Sequence, residues 1–274
     1  MESLKQHSFN PAVKAATEND VLKIDLRRKR IIEAITRDGM VKVTQLSKLL
    51  DTSEVTIRSD LSKLEKDGLL ERVSGGAVIN RNNYYNMVFH NKKRERAEEK
   101  QSIAAEVANI IQDGDTLIIN SGSTTYFIAM ELKRYKNLNI VTNSVYVAME
   151  LGIVPTFRII LLGGEINTQY YFSYGNDAML QLGKYMADKT ILSVDGVTAE
   201  AGITTYHPEE TAVNKMMIEQ SRQTIIAADY TKIGHVSFSH IADISQIDIC
   251  VTNKTADPKL LSEIAGHNVE IITC

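Results

Sequence analysis

The residues best suited to chemistry cluster where short apolar runs end. Ile118-Ile119 leads into Asn120-Ser121-Gly122-Ser123-Thr124-Thr125 and then a helical pattern. A small hydroxyl-rich loop feeding a helix start offers backbone N–H groups and hydroxyls to an anion, and the helix dipole favours negative charge there. Four further apolar runs end in a similar way. Val141 is followed by Thr142-Asn143-Ser144, and Leu162 by Gly163-Gly164-Glu165. Val194 is followed by Asp195-Gly196-Val197, with Gly202-Ile203-Thr204-Thr205 close behind, and Ala228 by Asp229, Thr231 and Lys232. Taken singly, each is also an ordinary turn or cap, Ser144 being a capping residue whatever else it does. Together they offer donors, glycines that let a ligand approach the backbone, and carboxylates, a set suited to a polyol carrying a phosphate.

A second polar set lies near the other end of the chain. Thr56, Arg58, Ser59, Ser62 and Lys63 occupy the polar side of a short amphipathic stretch, and Arg72 follows in an alternating segment. Arginine can reach a guanine edge or a phosphate, and threonine a phosphate or a thymine methyl. Catalysis is less well supplied. Sugar-phosphate isomerisation needs a carboxylate base and a group that polarises the carbonyl. Asp195, Glu210 and Lys215 are the candidates, with no second convergent acid/base set, so no catalytic residue is assigned. His207, His235 and His240 lack ligand spacing with matched carboxylates, and Cys250 and Cys274 are too isolated for a thiolate site, so neither metal nor cofactor is expected. Tyr170, Tyr171, Phe172 and Tyr174 form an aromatic cluster that suits a subunit contact or a pocket lid better than base stacking.

The elements that must position these residues follow from periodicity. Val43 to Gly68 reads as two short helices joined by a tight turn. Thr44 caps the first, with apolar Leu46, Leu49 and Leu50. Ser53 caps the second, with apolar Val55, Ile57, Leu61 and Leu64, and Gly68 stops it. A helical stripe of Leu26, Ile31, Ile32 and Ile35 completes a three-helix core. The alternating Leu69–Val73, a turn at Ser74-Gly75-Gly76 and a return through Ala77–Ile79 make a hairpin, or wing. This arrangement is a helix-turn-helix whose second helix enters the DNA major groove, the alternative being a plain helical hairpin with a solvated polar face. Thr44, Ser53, Ser74 and Gly75 join the polar side chains above as candidate DNA contacts.

From Asp113 onward the pattern changes to short apolar runs alternating with helices. Strands are expected at Thr116–Ile119, Asn139–Val141, Arg158–Leu162, Lys189–Val194, Gln223–Ala227, Ile247–Val251 and Val269–Ile272. Helices are expected at Thr125–Lys133, Ser144–Leu151, Gly175–Tyr185, Glu210–Ser221 and Pro258–Ala265. That alternation predicts an α/β domain with a mainly parallel sheet, whose ligands sit beyond the carboxyl ends of the strands. The polar stretch from Arg81 to about Asn91, opening Arg-Asn-Asn-Tyr-Tyr-Asn, reads as a linker. The charged run from Asn91 to Lys100 reads as a solvated helix face linking the domains, the alternative being that its charged start touches DNA.

The 274 residues, 43% of them hydrophobic, suffice for a small and a larger domain. No apolar run reaches the roughly 18 residues of a membrane span and there is no apolar signal segment, so a cytoplasmic, non-membrane protein is expected. Residues 1–91 hold 15 Lys/Arg against 12 Asp/Glu (+3), and residues 92–274 hold 16 against 22 (−6). A basic head on an acidic body fits DNA contact confined to one end.

From Arg27-Arg28-Lys29-Arg30-Ile31-Ile32, through Val55-Thr56-Ile57-Arg58-x-Asp60-Leu61-x-x-Leu64-Glu65, to Gly68-Leu69-Leu70-x-Arg72 and Gly75-Gly76-Ala77, the chain resembles the deoxyribose-operon repressor (DeoR-type) transcription factors. It departs from them in having Ser59 where a second arginine is usual and Ser74 where a histidine is usual. The resemblance continues in Asp113-Gly114-Asp115-Thr116, Ser121 to Thr125, Val141 to Ser144, Leu161 to Gly164, Asp195-Gly196-Val197 and Asp229-x-x-Lys232-x-Gly234. It implies an effector domain with the fold of ribose-5-phosphate isomerase and glucosamine-6-phosphate deaminase, sensing phosphorylated sugars. Ser121, Gly122, Ser123, Thr124 and Thr125 would cradle the phosphate, and Asn143, Gly163, Gly164, Asp195 and Glu210 would line the sugar, with Ser144, Gly196, Lys215 and Lys232 close by. Asn120 replaces a common aspartate, and Glu210-Thr211-Ala212-Val213-Asn214-Lys215 keeps only one of two usual basic residues.

The expectation is therefore an α+β winged helix-turn-helix domain followed by an α/β effector domain. It divides as a tail (1–21), a DNA-binding domain (22–80), a linker (81–94) and an effector domain (95–274). Its expected role is a non-enzymatic transcription regulator, a repressor of a sugar-metabolism operon, binding double-stranded operator DNA and a phosphorylated sugar as a homodimer or homotetramer. The alternatives are an activator built from the same parts and a sugar-phosphate isomerase or deaminase.

Overall fold

The computed structural model describes residues 26–28, 30–35, 37–66, 69–79, 89 and 91–274. The expected tail, the stop at Gly68 and the linker stretch Arg81 to Asn86 lie outside the described residues. The chain divides into two units, Met1–Met87 and Val88–Cys274.

In the first unit, helical backbone at 26–28, 30–35 and 37–38 (α1) precedes β1 (Met40–Lys42), α2 (Val43–Leu49), α3 (Glu54–Lys66), β2 (Leu70–Val73) and β3 (Gly76–Ile79). Ile31, Ile32 and Ile35 of α1 pack with Leu46 of α2, Ile57, Leu61 and Leu64 of α3, and Leu70 and Ala77 of the wing. The three strands form an antiparallel sheet in the order β1-β3-β2. Strand β1 was not expected, since three residues leave too little alternation to detect. It fits because Gly76 carries no side chain: a Cβ there would lie 2.1 Å from the Val41 carbonyl oxygen.

Ser53 caps α3 as expected, its Oγ accepting from the Thr56 N–H at 3.2 Å. Thr44 does not cap α2. The cap lies two residues earlier, at Lys42, whose N–H donates to Gln45 Oε1 at 3.1 Å, and Thr44 is an exposed residue of the first turn. Leu26, Leu49 and Val55 are also not core residues, being 54%, 61% and 74% exposed. In α3 the core face passes through Ile57, Leu61 and Leu64, and roughly 100° per residue puts Val55 opposite it. Asp60, only 2% exposed, accepts from Arg27 Nε at 2.5 Å and Arg28 Nε at 3.1 Å, which ties α1 to α3.

The second unit is built on seven parallel strands in the order β15-β14-β12-β9-β4-β5-β6. These are β4 (Thr116–Ile119), β5 (Asn139–Thr142), β6 (Arg158–Leu161), β9 (Ala187–Leu192), β12 (Ser221–Ala227), β14 (Ile249–Thr252) and β15 (Glu270–Thr273). All seven expected strands are present within a few residues. Leu117 and Ile119 face one core with α4 (Ala97–Asn109), α5 (Ser123–Leu132) and α6 (Val145–Leu151). Ile118 faces the other core with α7 (Asn176–Leu182), α8 (Pro208–Glu219) and α9 (Pro258–Ala265). Burial on both faces explains why the inner strands read as continuous apolar runs, while the edge strands β6 and β15 are only part-buried. Two small sheets add to this layer: the hairpin β7 (Glu165–Asn167) with β8 (Phe172–Tyr174), and β10 (Gly196–Thr198), β11 (Gly202–Thr205) and β13 (Ser239–Ala242) in antiparallel pairing. The chain runs outward from β4 to β5 and β6, then returns to place β9 on the other side of β4. The strand order therefore reverses between β4 and β9, where such sheets bind ligands.

Candidate functional site

At that switch point Asn120 clamps the two strand ends. Its Nδ2 donates to the Ser193 carbonyl oxygen and its Oδ1 accepts from the Ser193 N–H, both at 2.9 Å. The chain beyond the clamp becomes Gly122, the N-cap of α5, with extended φ and no side-chain cap bond. The first N–H groups of α5 therefore point outward without an intrahelical acceptor. A Cβ on Gly122 would lie 2.6 Å from Ser193 Cβ, so glycine keeps the two strand ends close.

This helix start opens into a cavity of about 110 Å³, room for several water-sized groups. Of the residues expected to bind the effector, Ser121, Gly122, Ser123, Thr124, Asp195, Glu210 and Lys232 line it, as do Thr205, His207 and Asp229. Asp195 accepts from the Tyr206 N–H at 3.0 Å and lies 3.4 Å from Lys232 Nζ and 3.9 Å from Lys92 Nζ. Burial works to raise its pKa, but Lys92, the Tyr206 N–H and Lys232 outweigh burial and hold the carboxyl below its ordinary value. Glu210 is the opposite case. At 6% exposure, burial, followed by the charges of Asp195 and Glu209, pushes its carboxyl up to about 8, and its Oε1 has no hydrogen-bond partner. Burial likewise lowers the pKa of His207, whose Nε2 is unpartnered and whose ring meets Tyr170 edge-on at 4.4 Å.

The other residues expected to bind the effector lie away from the cavity wall. Thr125 is buried and donates from Oγ1 to the Gly122 carbonyl oxygen. Ser144 caps α6 by accepting from the Val147 N–H. Asn143 donates to the Ser173 carbonyl oxygen, which secures the β7–β8 hairpin. Gly163 donates its N–H to Gln181, Gly164 packs against the Tyr174 carbonyl, and Gly196 packs against that of His235. Lys215 is exposed on α8. Its neighbour Asn214 is the buried one, accepting from Asn120 Nδ2 at 3.3 Å and leaving its own Nδ2 unpartnered.

The residues missed from the sequence are mainly cations. Lys92, Arg96 and Lys100, on the run expected to be a solvated face, line the cavity. Arg96 adopts φ +52 between a short helical turn at 91–94 and α4, and its Nε lies 3.3 Å from Asp229 Oδ1. Lys100 is 3% exposed and donates to the carbonyl oxygens of Lys92 at 2.5 Å and Glu95 at 2.6 Å, while burial lowers its pKa to about 8. The density of basic residues was visible, but the burial of one face was not. In the aromatic cluster, Phe172 is fully buried and lines the cavity with Tyr170, and Tyr171 meets Tyr146 edge-on.

In the first unit, Thr44, Ser53, Ser59, Lys63, Ser74 and Gly75 are exposed. Arg58 pairs with Glu54 at 2.7 Å. Thr56 is half-buried and bonded to Ser53 through its hydroxyl at 2.9 Å. Arg72 reaches back to Ser62 Oγ at 2.8 Å, which joins the wing to α3. Among the described residues no group of three or more His, Cys, Asp or Glu could hold a metal ion, and no helix is long and apolar enough to cross a membrane.

Residues 27–83 match a model described as the DeoR-like helix-turn-helix domain, and residues 95–254 match the DeoR C terminal sensor domain. The chain is 30% identical to the HTH-type transcriptional regulator GolR of Listeria innocua, over 89% of this chain and 97% of that one. It is also 30% identical to the glycerol-3-phosphate regulon repressor of Escherichia coli, over 90% and 98%. Among solved structures, ribose 5-phosphate isomerase from Plasmodium falciparum aligns with a TM-score of 0.37 at 14% identity, over 48% of this chain and 51% of that one.

Proposed function

The chain belongs to the DeoR family of helix-turn-helix transcription regulators, and on that premise we propose that it represses a sugar-metabolism operon under the control of a phosphorylated sugar. One observation carries the ligand reading: the outward N–H groups of α5 and the cations Lys92, Arg96, Lys100 and Lys232 converge on one cavity at the topological switch point. Ser121, Ser123 and Thr124 would bind the phosphate with them. Buried Glu210 and half-buried Asp195 would meet the hydroxyls, since a buried acid with an unpartnered oxygen suits a polyol better than an apolar group. Repression is supported by the Escherichia coli relative, which is a regulon repressor.

Operator half-sites require at least two copies of the chain, so a homodimer or homotetramer belongs to this reading. Ligand binding would shift operator affinity by about 1–3 kcal/mol. The domain division at 22–80 and 95–274 assigns the two tasks to separate modules.

The experiment is a thermal-shift screen of the full chain against sugar phosphates and the matching free sugars, followed by operator titration with each hit. Phosphorylated sugars are expected to raise the midpoint, and free sugars not. Equal shifts from both, or turnover of the sugar phosphate, would overturn the reading.

A further inference from the structure

We propose that Val55 is a base-reading residue that selects for thymine through its 5-methyl group. This rests on the DNA-binding assignment of α3.

In α3 the core is met by Ile57, Asp60, Leu61 and Leu64. At roughly 100° per residue the outward stripe is Val55, Ser59, Ser62 and Lys66, spaced i, i+4, i+7 and i+11. Arg58 and Lys63 lie on either side of that stripe, where the groove walls would place phosphates. The residues near the start of a recognition helix reach base edges. Val55 is the second residue of α3, 74% exposed, and the apolar member of the outward stripe. Ser59, the next member of that stripe, is short and does not hold Val55 off the groove floor, while Arg58 on the next turn is drawn aside to Glu54. Thr56, the other carrier of a methyl in the first turn, is held in the cap by Ser53. Of the base edges in the major groove, thymine presents a methyl. An isopropyl group facing the groove floor therefore gains by covering that methyl, and gains nothing from the polar edges of the other bases.

The experiment selects duplexes from a random pool with the full-length wild-type chain and with Val55→Ala. Each thymine of the best wild-type duplex is then replaced by uracil, which removes only the methyl. One thymine per half-site is expected to lose its preference with Val55→Ala. At that position uracil should weaken wild-type binding about fourfold, the equivalent of one buried methylene, and leave the variant unchanged. The uracil arm on the wild-type chain does not depend on how the variant folds. If the variant keeps the wild-type base profile, or if uracil costs it as much as the wild type at every position, the proposal is overturned. If the wild-type chain selects no duplex at all, the DNA-binding assignment falls first and this proposal with it.

Discussion

Replacing Glu210 by glutamine should make the sensor unit more stable, and the gain should grow with pH. The ordinary carboxyl pKa is 4.5, and burial raises that of Glu210 to about 8. An unfolded chain releases this proton near pH 4.5, whereas the folded chain keeps it until about pH 8. The acid thus contributes nothing unfavourable at low pH, and stability is lost progressively as the pH rises between those two values. One pKa unit is worth about 1.4 kcal/mol, so the cost at pH 7 is roughly 3 kcal/mol. Glutamine has the same shape without a proton to lose, and it removes that cost. For a unit of this size each kcal/mol corresponds to about 2–4 °C, so the variant midpoint should exceed wild type by about 6–12 °C at pH 7. At pH 5 the difference should shrink to about 2–3 °C. Differential scanning calorimetry of both full-length chains from pH 5 to pH 8 reads the effect, and the difference cancels Lys100 and His207, which titrate in both. A difference independent of pH, or a variant less stable than wild type at pH 8, would refute the reasoning. It would mean that Glu210 is ionised and satisfied in the folded chain.

Three other outcomes follow from the same geometry. Gly122→Ala places a Cβ 2.6 Å from Ser193 Cβ and should weaken a sugar phosphate at least tenfold by calorimetry, and the second change Ser193→Gly should recover it. Arg58→Ala should weaken operator binding with an unaltered base preference, and should lower the salt slope by about one in fluorescence anisotropy, as expected of a phosphate contact. Asp60→Asn leaves Arg27 and Arg28 facing a neutral amide and should cost the first unit about 1–3 kcal/mol in urea unfolding, less than a fully buried pair because both arginines are part-exposed.

What the sequence alone determined is what depends on near neighbours. The cap at Ser53, the 3.6-residue period of Ile57, Leu61 and Leu64, and the doubly buried strands are all local patterns, and so is a hydroxyl-rich loop ahead of α5. The tertiary structure decided phase and convergence. Asn214 and Lys215 differ by one step around α8, and only the packing of Val213 and Met217 against the sheet makes the first buried and the second exposed. Likewise, the run from Lys92 to Lys100 has the composition of a solvated face. It becomes part of the cavity because the chain passes over the strand ends, where Lys100 is buried by the carbonyls of Lys92 and Glu95, and Arg96 meets Asp229. Burial of a charged side chain depends on partners far along the chain, and no local pattern encodes their distance.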